Sequence, residues 1–264
     1  MSLGAVPTIA EIRDELGQGL PYTFPDARTR WMAGVGVADP LTFPSSFANK
    51  SRVRILDTQT LSSPGSDINF TGLDVGEIVD GRMLVAAIGV VGTSGSAIGV
   101  PAQPEVNGIG ATADAAYYTN GSGHSVATCI SSLDDITTTG TNGSARLQTS
   151  GATIANAICV LMAVYDTVQA SPFDRGNFGA VANATDAADS VNVGARGQII
   201  TACTQYNNEV ATVSGVTKRF ETNLGAGRFT LGFDTLLAAE TARSITFSWT
   251  AAAVRSSAFQ SRTN

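Results

Sequence analysis

Few residues in this chain have the type and spacing to do chemistry. Asp174, Asp186 and Asp189 lie close in sequence, as a calcium site or a glycosidase-like acid and base pair would require. Such a pair must face one cleft roughly 5 to 9.5 Å apart. Asp174, however, sits in Ser171-Pro172-Phe173-Asp174-Arg175-Gly176-Asn177, which reads as a turn-rich rim loop. Asp134 and Asp135 are adjacent, so an extended backbone points them to opposite faces. His124 is the only histidine and its Gly- and Ser-rich surroundings predict an exposed loop. No Gly-x-Ser-x-Gly elbow offers a nucleophile for a triad through it. Gly108-Ile109-Gly110-Ala111-Thr112-Ala113 fits a dinucleotide fingerprint on paper, but that mechanism needs a helix after the glycines. Asn107-Gly108 predicts a hairpin turn instead. Cys129, Cys159 and Cys203 are widely spaced without a CxxC pair, which predicts buried free thiols. With one histidine they also exclude the usual zinc sites. No catalytic, cofactor or metal residue is assigned, and the chain reads as non-enzymatic.

The elements that would position a site follow from composition. Charged residues make up 14% of the 264-residue chain, against a usual quarter, while 43% are apolar and 28 are glycine. This predicts many short strands joined by Gly, Ser and Asn turns, with a surface made polar by hydroxyls more than by charges. Proteins packed in a dense assembly have such surfaces. A net charge of −6 with scattered Lys and Arg argues against nucleic acid as the partner. Met83–Val91 and Ala157–Tyr165 are continuous apolar runs of nine residues, short of the roughly 20 needed for a membrane helix. The first residues have neither a basic start nor a long apolar stretch, so no signal peptide or membrane insertion is expected.

Residues 1–51 read as a helical module. Thr8-Ile9-Ala10-Glu11 is a capping box, and Ile9, Ile12 and Leu16 then share one helical face before Gly17. Thr23-Phe24-Pro25-Asp26 starts a second helix, with Pro in the first turn and Asp26 at the positive end of the dipole. Thr42-Phe43-Pro44-Ser45, leading to Phe47, is a third and weaker start, and three short helices of this kind are marginal alone and must dock on something larger. The stretches Glu11–Gly17, Phe24–Gly34 and Phe47–Ser51 resemble a short module near the start of many phage virion proteins, on Asp26, Arg30, Ala33, Gly34, Phe47, Lys50 and Ser51. Ser46 and Asn49 depart from that pattern, where the family has Asp and Gly. Asn tolerates the left-handed backbone a Gly would supply. The resemblance covers about a fifth of the chain.

From residue 52 to 264 the helical period gives way to alternation. Ile245, Phe247 and Trp249 share one face of Arg243–Thr250 with hydroxyls on the other, and Arg228–Phe233 alternates likewise. Val53–Leu56, Ile68–Leu73, Ser125–Ser131 and Gln198–Gln205 are further strands, and the two apolar runs are central ones. The expected fold is mainly β, a two-sheet β-sandwich or jelly-roll-like domain preceded by the small helical module. The order of strands around Arg82–Ala87, Val106–Thr112, Ala157–Tyr165, Gly197–Ala202 and Ile245–Trp249 resembles the sandwich segments of phage tail and gene-transfer-agent proteins.

Together these resemblances imply a virion protein, either a tail fibre or tail-tip component or a head fibre or capsid-decorating protein. It would dock on other virion proteins through Ile9, Ile12, Leu16, Asp26, Arg30, Trp31, Phe47 and Lys50. The usual build of fibres implies a homo-oligomer, a trimer by preference. The low-charge loops suggest contact with a host surface glycan or protein. A carbohydrate-active enzyme using Asp174 or Asp186 is the alternative of a different class.

Overall fold

The computed structural model describes Thr8, Glu11 and Ile12, and then residues 53–76, 82–93, 98–100, 102–119, 124–134, 140, 142–165, 174–177, 181–195, 197–235 and 238–262. The expected boundary at residue 51 lies outside them, as do all the docking candidates except Ile12. The capping box forms as read: the Thr8 backbone N–H donates to Glu11 Oε2 at 2.6 Å and the Glu11 N–H donates to Thr8 Oγ1 at 3.2 Å. The Thr8 N–H and, at 2.9 Å, the Thr8 hydroxyl both donate to the exposed Glu11 carboxyl and hold it below its ordinary pKa. The first helical hydrogen bond, Ile12 N–H to Thr8 C=O, follows at 3.0 Å, and Ile12 is fully buried.

The body is mainly β, and the expected sandwich has a third sheet. The middle sheet has the order β1 (Val53–Ser62), β9 (Ile154–Tyr165), β3 (Arg82–Gly92), β7 (Ser125–Asp134), β6 (Thr112–Thr119), antiparallel throughout. One face meets a smaller sheet ordered β2 (Asp67–Leu73), β8 (Gly143–Gln148), β4 (Glu105–Val106), β5 (Ile109–Gly110). The other face meets a large sheet ordered β10 (Asp174–Asn177), β16 (Glu240–Arg262), β12 (Gln198–Gln205), β15 (Arg228–Thr235), β14 (Lys218–Asn223). Strand β13 (Thr212–Ser214) pairs with the first part of β16, while β11 (Val181–Val193) follows β16 from Arg255 back to Glu240.

This layering explains the apolar runs. Successive side chains of a strand point to opposite faces, and both faces of the middle sheet are covered. From β3, Leu84, Ala86, Ile88 and Val90 join a core with Ile68, Phe70, Val106 and Leu147 of the small sheet. Met83, Val85, Ala87 and Val91 join a second core with Ile200, Phe229, Leu231 and Phe233 of the large sheet. Towards β7 this second interface turns polar. Thr128 Oγ1 donates to Thr204 Oγ1 at 2.8 Å and lies 2.8 Å from Ser256 Oγ, while Gln260 Nε2 donates to the Ile130 carbonyl at 3.1 Å. The buried Arg262 guanidinium donates to Ser132 Oγ.

The 23-residue β16 serves two layers. Its second half pairs with β12 inside the large sheet, from Arg255↔Gln205 to Arg262↔Gln198. Its first half folds back over that sheet and carries β11 and β13 with it. Ala187, Val191, Ile245, Phe247 and Trp249 of this flap close a third core on Ile199, Cys203 and Phe259. The corner between the halves is exposed at Thr250, Ala251 and Ala252. Glu209 Oε2 accepts the N–H groups of Thr250 (2.6 Å) and Ala251 (2.9 Å), and Asn207 Nδ2 donates to the Ala251 carbonyl at 3.1 Å. A strand that switches layers exposes backbone groups at the bend, and these side chains satisfy them.

Candidate functional site

The carboxylates singled out in the sequence lie around the border of the flap. Asp174 opens β10, facing Ser261 of β16, while Asp186 and Asp189 are exposed on β11. Three residues apart on a regular stretch of strand, Asp186 and Asp189 project to opposite faces. Asp174 lies instead in a depression of about 370 Å³ that is lined by Asn192, Val193, Gly194, Ala239, Glu240 and Thr241 but not by Asp186. Glu240 had no signal in the sequence, because the β10 and β16 ends meet only through the curl of β16.

Asp174 and Asn192 of this depression are engaged with the backbone, and Glu240 with a guanidinium. Asp174 Oδ1 accepts the Arg175 N–H at 2.8 Å and Asp174 Oδ2 accepts the Asn192 N–H at 2.7 Å. Asn192 Oδ1 accepts the N–H of Ala242 at 3.0 Å, where φ is +54° and an L-residue needs support. Ser261 Oγ donates to the Asn192 carbonyl at 2.6 Å and accepts the Asp174 N–H at 3.1 Å. Glu240 Oε2 accepts from Arg243 at 2.6 Å, and Arg243 Nε donates to the Gly215 carbonyl at 2.6 Å. A general acid or base needs a carboxyl oxygen turned to a substrate. Here the arrangement clips β10, β11 and β16 together at the open end of the flap.

The other candidates lie elsewhere in the fold. His124 is half-buried, not exposed as its sequence context predicts, and its ring stacks on Tyr206 with centroids 4.0 Å apart. Asn107 (φ +53°) and Gly108 (φ +73°) form the turn between β4 and β5, and strand β6 follows where a dinucleotide site requires a helix. Asp134 ends β7, and Asp135 lies outside the described residues. Among the described residues no group of three or more His, Cys, Asp and Glu is placed to hold a metal ion.

All three cysteines are buried and free. Cys129 and Cys159 flank Ile88 on neighbouring strands, both paired with it. Burial raises the Cys159 thiol far above its ordinary range, and pushes Cys203 up to about 12 although Arg255 opposes this. The thiolate is the reacting species, so an aromatic disulfide reagent at about pH 8 is expected to label none in the native protein. All three should react in denaturant. Rapid native labelling of any one would place that strand at the surface.

Of the proposed docking residues, Ile12 alone is described, buried behind the capping box. Comparison with protein-family models, curated proteins and solved structures returned no match.

Proposed function

We propose that this chain is a non-enzymatic structural component of a bacteriophage particle, a tail fibre or tail-tip protein that docks through residues 1–51. The observation that carries the reading is the N-terminal segment. Its Asp26, Arg30, Phe47, Lys50 and Ser51 fall in the pattern of a virion module, and its opening capping box is formed by Thr8 and Glu11. The β body supports it. Its described interior is three hydrophobic cores, and the carboxylates Asp174 and Glu240 brace backbone and Arg243. A head fibre or capsid-decorating protein would have the same features. The body then projects from the particle or packs within it, with other virion proteins and a host surface glycan or protein as its partners.

Deleting residues 1–51 is expected to abolish incorporation into particles while the β body keeps its strand signature by circular dichroism. Immunogold labelling of intact particles gives the location. Label at the tail supports the fibre, and label over the head moves the chain to capsid decoration. Particles without label, or a truncated chain that is still incorporated, would end the docking reading.

A further inference from the structure

The flap turns an unusual surface outward. Ser248 of β16 lies between Thr212 of β13 and Asp186 of β11, Thr246 pairs with Ser214, and Ser244 pairs with Ser190. The alternation that buries Ile245, Phe247 and Trp249 points these hydroxyls away from the body. Asp186, on the outer strand, is the one carboxylate in those rows. The outward side of the small sheet is different: there Arg146 binds Asp67 at 2.7 Å and Glu105 at 3.3 Å. At the corner end, where β13 approaches Thr250, Val210 is 60% exposed beside the exposed Ala251 and Ala252. Val210 and Ile109 are the large hydrophobic residues left exposed among those described.

We propose that this outward face of β11, β16 and β13, anchored by Val210, is a contact surface for a second copy of the chain. The proposal rests on the reading of the chain as a component of an assembly. Three observations select a second copy as the occupant. The chain carries a net charge of −6, so two copies repel except where they meet through a charge-poor face. A hydroxyl both donates and accepts, so a Ser and Thr face is complementary to itself in a way that a face of carboxylates is not. Short Ser, Thr and Ala side chains also lose little rotamer freedom when covered. Val210 and the corner alanines supply the apolar patch that such a polar face otherwise lacks.

The size of the face sets the strength of the contact. Two strands about 30 Å long and the three-residue β13, about 10 Å long, lie about 4.8 Å apart and present roughly 340 Å². A stable interface buries about 800 Å² per partner. The contact is therefore weak in dilute solution and forms at the local concentrations of a particle.

Sedimentation equilibrium on the full chain, from about 1 µM to about 1 mM, tests this. The weight-average mass of the parent is expected to rise with concentration. Thr246→Arg and Val210→Lys should each raise the apparent Kd about tenfold or more, with thermal unfolding unchanged. Asn69→Arg, on the exposed side of the small sheet, should associate like the parent. A parent that stays monomeric over the whole range overturns the proposal, and so do flap variants that associate as the parent does. If the parent is monomeric and Thr246→Arg is nevertheless lost from particles, a different virion protein occupies the face. Particle labelling of the unaltered chain decides the functional reading separately.

Discussion

Gly89→Ala is expected to destabilise the protein by about 3 kcal/mol, one methyl group being enough. Gly89 sits in the middle of β3, on the face turned towards the large sheet. A Cβ built there would lie 2.3 Å from Cδ2 of Phe229 and 2.9 Å from Thr204 Oγ1. Neither neighbour can retreat easily. Phe229 is fully buried in the second core, and Thr204 is tied to Thr128 across the same interface. The methyl group must push the ring off its rotamer or part the sheets, and close-packed interiors resist both. For a domain of this size each kcal/mol lowers Tm by about 2–4 °C, so a fall of roughly 6–12 °C is expected. Phe229→Leu should relieve part of the strain. The double variant should then be more stable than the sum of the single losses by more than about 1 kcal/mol. If Gly89→Ala unfolds within about 0.5 kcal/mol of the parent, the phenylalanine does not pack over β3 as described.

That packing also explains what the sequence could and could not reveal. The strands from Met83 and Ala157 were legible as buried because both faces of the middle sheet are covered, leaving no polar positions to interrupt the run. Arg243–Thr250 was legible for the opposite reason: one face closes the third core and the other meets water. The second half of β16, from Ala253 to Arg262, is equally buried yet carries Ser256, Ser257, Gln260 and Arg262. Its polarity matches the hydroxyls of β7 across the interface, and no local period marks such a match. Strand β11 was hidden as well. Its Ala, Asn and Asp residues have low strand propensity, and only pairing with β16 makes them extended. The small sheet was hidden for a related reason: its joining strand β8 was not read, and without it β2 and the β4–β5 hairpin have no common partner. Of the candidate site, Asp174 was visible as a carboxylate. Its engagement by Asn192 and the nearness of Glu240 depend on the curl of β16, which separates partners by up to 87 residues.

The three cores predict that the flap can open alone. Phe247→Ala is expected to cost about 3–5 kcal/mol at its site, the range for emptying a buried phenylalanine. Phe247 is fully buried in the third core, two residues from Trp249, whose Nε1 donates to the Ala184 carbonyl at 2.9 Å. Losing the ring leaves β11 and the first half of β16 held by their mutual ladder and by the clips of Asp174, Asn192 and Glu209. The first two cores do not include Phe247 and should stand. Hydrogen exchange therefore separates the layers. In Phe247→Ala, amides of residues 186–193 and 240–248 should exchange at least about a hundredfold faster, while those of β3 and β9 keep most of their protection. Phe70→Ala, which empties the first core instead, should release the small sheet and spare the flap. If β3 and β9 lose protection in step with β11 in Phe247→Ala, the flap is part of one cooperative unit. The outward hydroxyl face would then be as rigid as the body that carries it. Independent opening would instead make it a surface that a second copy stabilises on contact, by binding the closed flap in preference to the open one.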